Sequence, residues 1–313
     1  MNKGLTYTLI GLLSFLLIFL VGIMIFLFNG KISFDGFRIA SGYSTKLVEE
    51  KEISNIHDLD ITTDMADVIV EEKDINNIKV ELYSEKEPEY EITESASTIN
   101  IVLKQKTKVH FGLFNKSPRV VVYVPKTFNK DIKIKGTTSD VKIGNLPESN
   151  LTVKATTGDV KVKQIQNSII NLTTGDIKID NINDLDSETR TGDIKIKSVK
   201  TSKIITTTGD IKIEKSVNVI KAKTNTGDIK INDVNKSLDL STNTGDVKIE
   251  TATILSNSNI TTGTGDVRID SVTGCYVEGD TKVGDRDINN TDADRKSDII
   301  LNIKTRVGDI DVN

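Results

Sequence analysis

The sequence predicts an all-β chain: a single-stranded β-solenoid (β-helix) of about ten coils with an irregular β N-terminal part, preceded by one transmembrane helix. Three observations predict this architecture. A motif close to Thr-Gly-Asp-Ile-Lys-Ile recurs along the chain, apolar and polar residues alternate on both sides of it, and one long uncharged apolar run stands near the amino terminus. A fixed period of about 18 residues is typical of proteins whose repeated units stack on one another.

The transmembrane helix is predicted at Leu5–Phe28, an apolar run without a charged side chain. It is long enough to cross the roughly 30 Å hydrocarbon core of a bilayer, and it is longer than the apolar region of a secretory signal. We therefore expect an uncleaved signal anchor in the cell membrane, with residues 1–4 as a cytoplasmic tip and the large C-terminal domain extracellular. Removal of the run as a long signal peptide is the alternative.

Three stretches follow the anchor. Residues 29–46 contain Gly and Ser and are interpreted as a juxtamembrane linker. Residues 47–135 hold short apolar or alternating runs between turn residues, which predict an irregular β opening of the solenoid with a hairpin or loop insertion. Residues 136–313 carry the regular repeats, in which period-2 alternation before and after each Gly-Asp predicts two strands that meet at a corner.

The motif glycines from Gly158 to Gly308 are separated by 17, 17, 17, 18, 18, 20, 19 and 24 residues. Glycine at the corner supplies a backbone conformation with positive φ, and the aspartate after it can accept hydrogen bonds from the amides of the turn. The structural repeat residues are Gly158, Asp159, Gly175, Asp176, Gly192, Asp193, Gly209, Asp210, Gly227, Asp228, Gly245, Asp246, Gly265 and Asp266.

Threonine often stands one and three residues before the motif glycine. Its β-branched shape suits a strand, and its hydroxyl can bond to the next coil. Parity along the strand places Thr174 and its equivalents on the inward side with the isoleucines, as an internal threonine ladder. An ice-binding or glycan-binding threonine face is the alternative.

A lysine or arginine follows most motif aspartates two residues later. Both rows then point to the same outer face, where they form a lattice of alternating charge. Two alternatives remain: calcium on the Asp row, and an anionic wall polymer on the Lys row. Calcium prefers six to eight oxygen ligands, and these carboxylates have lysine neighbours, so we predict no metal site and no cofactor.

Composition excludes several classes of function. The formal net charge of −4 argues against a nucleic-acid partner. Cys275 is the single cysteine, and neither His57 nor His110 lies in the repeats. From residue 136 onward the one aromatic residue is Tyr276, and no nucleophile-elbow, Walker or zinc-protease motif occurs. The sequence predicts no catalytic residues and no enzyme.

One stretch is suited to contact with a partner. His110–Pro118 places Phe111, Leu113 and Phe114 in a predicted loop. Aromatic side chains in a loop can anchor a partner or enter a membrane surface. The alternative is that they fold back over the open end of the solenoid.

The single anchor, DVIV at Asp67–Val70, VVVYVPK at Val120–Lys126 and the repeated Thr-Thr-Gly-Asp motif resemble the bacterial putative adhesin family of unknown function, which includes LiaG-like proteins. The resemblance covers roughly residues 50–313. It implies a membrane-attached, exported β-solenoid of a kind often linked to cell-envelope stress genes, and it brings no catalytic residues with it.

The leading hypothesis is a non-enzymatic, membrane-anchored cell-surface protein that acts as an adhesin or a cell-envelope interaction scaffold. Its partners would be the membrane, through Leu5–Phe28, and a cell-wall polymer or an envelope protein. The alternative is an accessory component of an envelope-stress signalling system that binds a membrane partner through the span and the Phe111–Phe114 loop. A polysaccharide-active enzyme is the third hypothesis.

Overall fold

The computed structural model describes residues 45–84, 88–104, 118–290 and 296–313. The strands within these ranges form one 22-stranded sheet, which confirms the predicted all-β, solenoid-like class. In the described part of the chain, no helix is long and apolar enough to cross a membrane. The predicted span Leu5–Phe28 lies outside the described residues.

The amino-terminal strands are β1 Lys46–Ile53, β2 Asp58–Thr63, β3 Asp67–Lys73, β4 Ile78–Ser84, β5 Glu89–Glu94, β6 Thr98–Lys104, β7 Arg119–Pro125 and β8 Ile132–Thr138. The long strands of the regular coils are β9 Val141–Thr157, β10 Val160–Thr174, β11 Ile177–Thr191, β12 Ile194–Thr208, β13 Ile211–Thr226 and β14 Ile229–Thr244. The carboxyl-terminal strands are β15 Val247–Ile254, β16 Ser258–Thr264, β17 Val267–Ile269, β18 Val272–Thr273, β19 Tyr276–Val283, β20 Arg286–Ile288, β21 Ile300–Val307 and β22 Ile310–Val312.

The regular coils stack in parallel and in register. Ile177 lies beside Ile194, and Thr174 lies beside Thr191, so each motif meets the equivalent motif of the next coil. The inward isoleucines are completely buried, as at Ile177, Ile194 and Ile211. The core is therefore a continuous column of apolar side chains that gains one layer about every 4.8 Å.

The order of the coils departs from the order of the sequence at the carboxyl-terminal end. After β17 and β18 the chain skips one level to form β19 and β20, and it then returns to form β21 and β22 in the level left open. β21 consequently pairs with both β16 and β19, and β22 pairs with both β17 and β20. The last coil in the sequence is the second-last coil in the stack.

The amino-terminal end is interleaved in the same way. β2 lies between β6 and β8, and β3 lies between β7 and β9. The first coil in the sequence is therefore the second in the stack. Antiparallel strands cover this end, with β5 paired to β6, β4 paired to β7, and β1 paired to β4.

The described residues form twelve coils, where the sequence predicts about ten. Ten corners are occupied by motif aspartates, which are the seven named above together with Asp140, Asp285 and Asp309. The other two are occupied by Asp67 and Arg119, which align with them through β3, β7 and β9. No Thr-Gly-Asp motif marks these two additional coils. Their residues are separated in sequence by β4, β5 and β6, which hides the repeat.

The open strand edge of the terminal coil is covered by side chains. Asn290 accepts the backbone N–H of Val277 at 2.9 Å and donates to its carbonyl oxygen at 3.0 Å. Arg286 donates to the carbonyl oxygen of Gly279 at 2.9 Å. Backbone groups that an added strand would use are thereby occupied, which is one way in which proteins prevent edge-to-edge pairing.

Candidate functional site

The corner glycines form a ladder that has no room for a side chain. Gly192 has φ +148°, and a Cβ atom there would lie 2.0 Å from the carbonyl oxygen of Gly175 in the preceding coil. The same approach recurs at Gly308, whose Cβ would lie 2.2 Å from the Gly265 oxygen. The positive φ expected at the corner is therefore combined with a close backbone contact between coils, and both require glycine.

The motif aspartates form a second ladder. Along the stack from Asp67 to Asp309, Oδ1 of each corner aspartate accepts the backbone N–H of the aspartate in the next coil, in ten hydrogen bonds of 2.8–3.2 Å that end at the N–H of Asp285. The expected donor was an amide of the same turn. The donor belongs to the next coil because stacking brings equivalent backbone groups to about 4.8 Å, within reach of a short side chain.

Asp193 shows the electrostatic consequence of this ladder. The backbone N–H of Asp210 holds the pKa of its carboxyl below the ordinary value, and Lys195, whose Nζ lies 3.1 Å away, lowers it further. These effects outweigh partial burial, which raises the pKa. The motif carboxylates thus act first as structural hydrogen-bond acceptors.

The buried threonine row lies three residues before the corner. Thr206 is buried, and its hydroxyl donates to the carbonyl oxygen of Gly192 at 3.2 Å. Thr174, one residue before Gly175, is exposed, so the expectation that Thr174 and its equivalents point inward is wrong. Alternation fails at the corner, where Thr173 and Thr174 both face solvent before the chain turns at the glycine.

The strand after each corner carries the motif Asp and Lys on one outward side, which we call the post-corner face. Most of its cations have an acidic partner. Such exposed pairs contribute little to stability, but they neutralise the face. The pairs are Lys142–Glu71, Lys161–Asp159, Lys195–Asp193, Lys197–Asp180, Lys230–Glu250, Lys248–Asp270 and Arg268–Asp270.

In the described ranges, no group of three or more His, Cys, Asp or Glu side chains is placed to hold a metal ion. Every corner aspartate except Asp285 uses Oδ1 in the ladder. Calcium on this row would therefore compete with hydrogen bonds to the backbone. Calcium binding gains no support from this geometry.

The strand before each corner presents a different outward side, which we call the pre-corner face. It comprises the residues two, four, six and eight positions before six successive corners. Its members are Asp131, Lys133, Lys135, Thr137, Asn150, Thr152, Lys154, Thr156, Asn167, Ile169, Asn171, Thr173, Asp184, Asp186, Glu188, Arg190, Thr201, Lys203, Ile205, Thr207, Val219, Lys221, Lys223 and Asn225.

Two hollows lie on the pre-corner face. The first has a volume of about 610 Å³ and extends over five coils, from Asn150 to Lys221. Its lining combines apolar groups, such as Leu185 and the half-exposed Ile169, with amide, hydroxyl and carboxylate groups. The polar side chains in this lining are Asn150, Thr152, Asn167, Ser168, Asp184, Asp186, Thr201, Ser202, Lys203 and Lys221.

The second hollow lies nearer the corner and has a volume of about 680 Å³. Its lining is mainly polar and includes Lys154, Glu188 and Arg190 together with exposed threonines. The two hollows share the same coils, β9 to β12, and together they cover the width of the pre-corner face. Both hollows are open to solvent, and they lie where the outward side chains differ from coil to coil.

Serines stand beneath the same face. Ser168, Ser187 and Ser202 are buried at inward positions where other coils carry leucine or isoleucine. Their hydroxyl oxygens have no hydrogen-bond partner within the described residues. Because serine is smaller than leucine, the side chains at these positions occupy less volume beneath the hollows than leucine or isoleucine would.

A cluster at the amino-terminal end was not expected from the sequence. The guanidinium of Arg119 lies 4.2 Å from the ring centroid of Tyr83, and buried Glu81 accepts from the Tyr83 hydroxyl at 2.6 Å and from Lys79 at 2.9 Å. Burial raises the pKa of Glu81, but the hydrogen bonds from Lys79 and Tyr83 prevail and lower it. The cluster joins β4 to β7 and stabilises the antiparallel cover of this end.

The remaining residues named from the sequence are one histidine, one cysteine and the predicted contact residues. His57 is buried, with Nε2 3.0 Å from Oε1 of Glu94, and Cys275 is buried in the apolar core. The predicted contact residues lie outside the described residues and stay predictions: Phe111, Leu113 and Phe114.

The pre-corner face was not predicted from the sequence. The positions that are the same in every copy form the corner and its ladders, and they give no sign of this face. A signal was available in the positions that change. Four residues before the corner, for example, successive coils carry Lys154, Asn171, Glu188, Ile205 and Lys223.

Solved structures similar to this chain are named as adhesins. A putative adhesin from Parabacteroides distasonis is 15% identical, with 86% of this chain and 98% of that chain covered and a TM-score of 0.45. A putative adhesin from Bacteroides fragilis is 12% identical, with 87% and 99% covered and a TM-score of 0.41. A putative cell adhesion protein from Clostridium sporogenes is 14% identical, with 86% and 99% covered and a TM-score of 0.25.

No curated protein sequence matches the chain. The family model described as Toastrack DUF4097 matches residues 56–252 and 214–313, which together include almost all of the described solenoid. The resemblance inferred from the anchor, the DVIV unit and the repeated motif is confirmed. The chain belongs to the Toastrack DUF4097 family, a putative adhesin family of unknown function.

Proposed function

We propose that this protein is a non-enzymatic, membrane-anchored cell-surface rod that acts as an adhesin or a cell-envelope interaction scaffold, and that it engages its ligand on the pre-corner face. The observation that carries the proposal is the pair of hollows of about 610 and 680 Å³ on one face of adjoining coils. Concave surfaces that combine apolar and polar groups are the usual places for ligands.

The contrast between the two outward faces supports this assignment. On the post-corner face the same Asp and Lys recur, and the carboxylates are used by the backbone of the next coil. A surface that is satisfied internally offers few groups to a ligand. The pre-corner face varies from coil to coil, as a surface does when it recognises one particular partner.

The anchor gives the proposal its location. Leu5–Phe28 would hold the chain in the cell membrane with the solenoid outside, and the solenoid would extend on the order of 50 Å at about 4.8 Å per coil. The signalling alternative depends on Phe111 and Phe114, which lie outside the described residues.

Binding of the full chain to isolated cell envelopes tests the proposal. Purified full-length protein in detergent should sediment with the envelopes, and a variant with Asn150, Asn167 and Thr201 changed to alanine should be captured several-fold less. Thr157, Thr174 and Thr191 changed to alanine supply a control on the exposed row beside the corner. Equal capture of the two variants would remove the pre-corner face from the proposal.

Location and catalysis need separate measurements. Intact cells treated with a protease should lose the solenoid while a cytoplasmic marker survives. If the solenoid is cleaved in lysed cells alone, the extracellular orientation is wrong. Release of soluble sugar from envelopes by the purified protein would contradict the non-enzymatic assignment.

A further inference from the structure

We propose that the ligand of the pre-corner face is an extended anionic polymer rich in hydroxyl groups, such as an acidic polysaccharide or a polyol phosphate. The inference rests on the proposed function and adds the chemical class of the ligand. It is carried by three observations: the sign of the charge on this face, the number of cations that have no internal partner, and the shape of the two hollows.

Over the six coils that define it, the pre-corner face carries more basic than acidic residues, while the charged lining of the first hollow is balanced between Asp184, Asp186, Lys203 and Lys221. Its outward positions hold seven basic and four acidic residues, a net charge of +3, whereas the whole chain has a formal net charge of −4. The basic residues are Lys133, Lys135, Lys154, Arg190, Lys203, Lys221 and Lys223, and the acidic residues are Asp131, Asp184, Asp186 and Glu188. A positive face of this kind attracts anions and raises their local concentration.

Most cations of this face lack an ion pair. Lys203 bonds to Asp186 at 3.4 Å, and Lys135 lies 3.7 Å from Asp60. Among the described residues the other five have no acidic partner within ion-pair distance: Lys133, Lys154, Arg190, Lys221 and Lys223. The post-corner face behaves oppositely, since most of its cations are paired. Cations without internal partners beside a hollow favour an anionic ligand.

Three of these cations border the hollows directly. Lys154 and Arg190 line the second hollow, and Lys221 lines the first. Lys154 and Lys221 are four coil steps apart, about 19 Å along the stack. A ligand that reaches both must be extended and must lie along the solenoid axis, across the coils.

The groups between these cations suit a hydroxylated backbone. Asn150 and Asn167 form an amide pair with 2.9 Å between their side chains, and Asp184 and Thr201 continue this row. Amide, carboxylate and hydroxyl groups can bond to the hydroxyls of a polyol or a sugar. The acidic coil around Asp186 would accept hydroxyl groups, while the anionic groups of the polymer would lie at the cations on either side.

Fluorescence anisotropy with labelled polymers and the full-length protein in detergent tests this inference. The probes are polygalacturonate, which carries carboxylates, poly(glycerol phosphate), which carries phosphodiesters, and neutral dextran. Binding of either anionic polymer with no binding of dextran is expected, and the better probe identifies the source of the negative charge. Binding should weaken as salt is raised from about 0.05 M to 0.5 M, because salt screens these contacts.

A pair of matched triple variants distinguishes binding at the pre-corner face from nonspecific electrostatic attraction to the whole protein. Lys154→Gln, Arg190→Gln and Lys221→Gln remove three unpaired cations from the hollows. The control removes three cations of the post-corner face that have no ion pair among the described residues: Lys163→Gln, Lys178→Gln and Lys212→Gln. The first variant should raise the Kd about tenfold, equivalent to about 1.4 kcal/mol, and the control less than twofold.

Several outcomes would overturn the inference. Equal weakening by the two triple variants would show that attraction is not local to the pre-corner face. Dextran binding as tight as the anionic probes would show that charge does not select the ligand. If wild-type protein binds none of the probes but still sediments with envelopes, the ligand class is wrong while the proposed function stands. Circular dichroism of both variants establishes that each remains folded.

Discussion

Replacement of Gly192 by alanine should break the stack at one coil. The Cβ atom would lie 2.0 Å from the carbonyl oxygen of Gly175, and real Cβ contacts are not shorter than 3.0 Å, so the two coils must separate by about 1 Å. That movement lengthens the bond from Gly175 N–H to Thr191 O, now 2.9 Å, and the bond from Asp193 N–H to Asp176 Oδ1, now 2.8 Å.

The expected loss of stability is about 3–5 kcal/mol. Two weakened hydrogen bonds contribute about 1 kcal/mol each. The backbone of Gly192, at φ +148°, lies in a region that is nearly exclusive to glycine, and alanine adds about 1–3 kcal/mol of strain there. This sum is comparable with a sizeable part of the stability of an ordinary domain.

Urea unfolding of the full chain, followed by far-ultraviolet circular dichroism, measures the effect. Repeat proteins can unfold in segments, so the midpoint of the first transition is the quantity to compare. Thr191→Ala, at the exposed neighbouring position, is the control and should change stability by less than about 0.5 kcal/mol. A loss below about 1 kcal/mol for Gly192→Ala would refute the close-contact argument, because strain alone should exceed that value.

Three further predictions concern single side chains. Thr206→Val removes the hydroxyl that donates to the Gly192 carbonyl, and should lower stability by about 1–2 kcal/mol in urea unfolding. Lys236 is the one non-glycine residue with positive φ in the described ranges, at +139°, so Lys236→Gly should raise the thermal midpoint by relieving about 1 kcal/mol of strain. The Asp193 carboxyl has a lowered pKa in the folded chain, so its contribution is present above the ordinary value of 3.8 and is lost as pH falls through the folded value. Asp193→Asn keeps an acceptor for the Asp210 N–H, and should therefore make the urea midpoint less sensitive to acid between about pH 5 and pH 3.

The regular coils could be predicted because every copy repeats the same local physics. Alternation from Ser168 to Leu172 and again from Leu185 to Thr189 indicates which side chains face inward, and the repeat length determines the register between coils. Parity alone was misleading at the corner, as Thr174 demonstrates. Two consecutive residues before each corner glycine face outward, and strict alternation with a period of two residues cannot produce that arrangement.

The ends could not be predicted, because their strand order depends on pairings between residues distant in sequence. Asp58–Thr63 pairs with strands about 40 and 73 residues later, as Asp58 with Thr98 and Leu59 with Ile132 show. No local pattern states which of two similar β-strands is the neighbour of a third. The cluster of Glu81, Tyr83 and Arg119 was hidden for the same reason, since it exists only in the antiparallel register of β4 and β7.

The pre-corner face could not be predicted for a different reason. The side chains that line it occupy outward positions, where the fold tolerates many residue types, and a single coil gives no sign that its neighbours carry complementary groups. Lys154, Arg190 and Lys221 are ordinary surface cations when each is considered alone. They gain a common role only after stacking places them around the same pair of hollows.

Interleaving at both ends also stabilises the terminal coils, which in a simple periodic stack would be held on one side alone. A ladder such as that of Asp176 and Asp193 has no internal stop, and a coil at the end of a simple stack could detach alone. Here the last coil in the sequence is held on both sides, because β21 pairs with β16 and with β19. It can leave only if two strand pairings break together. The coil beyond it is attached to the chain at both of its own ends, and Arg286 and Asn290 occupy its outer edge. Termination of the solenoid is therefore achieved by chain topology and by edge protection together, and neither device uses the repeated motif.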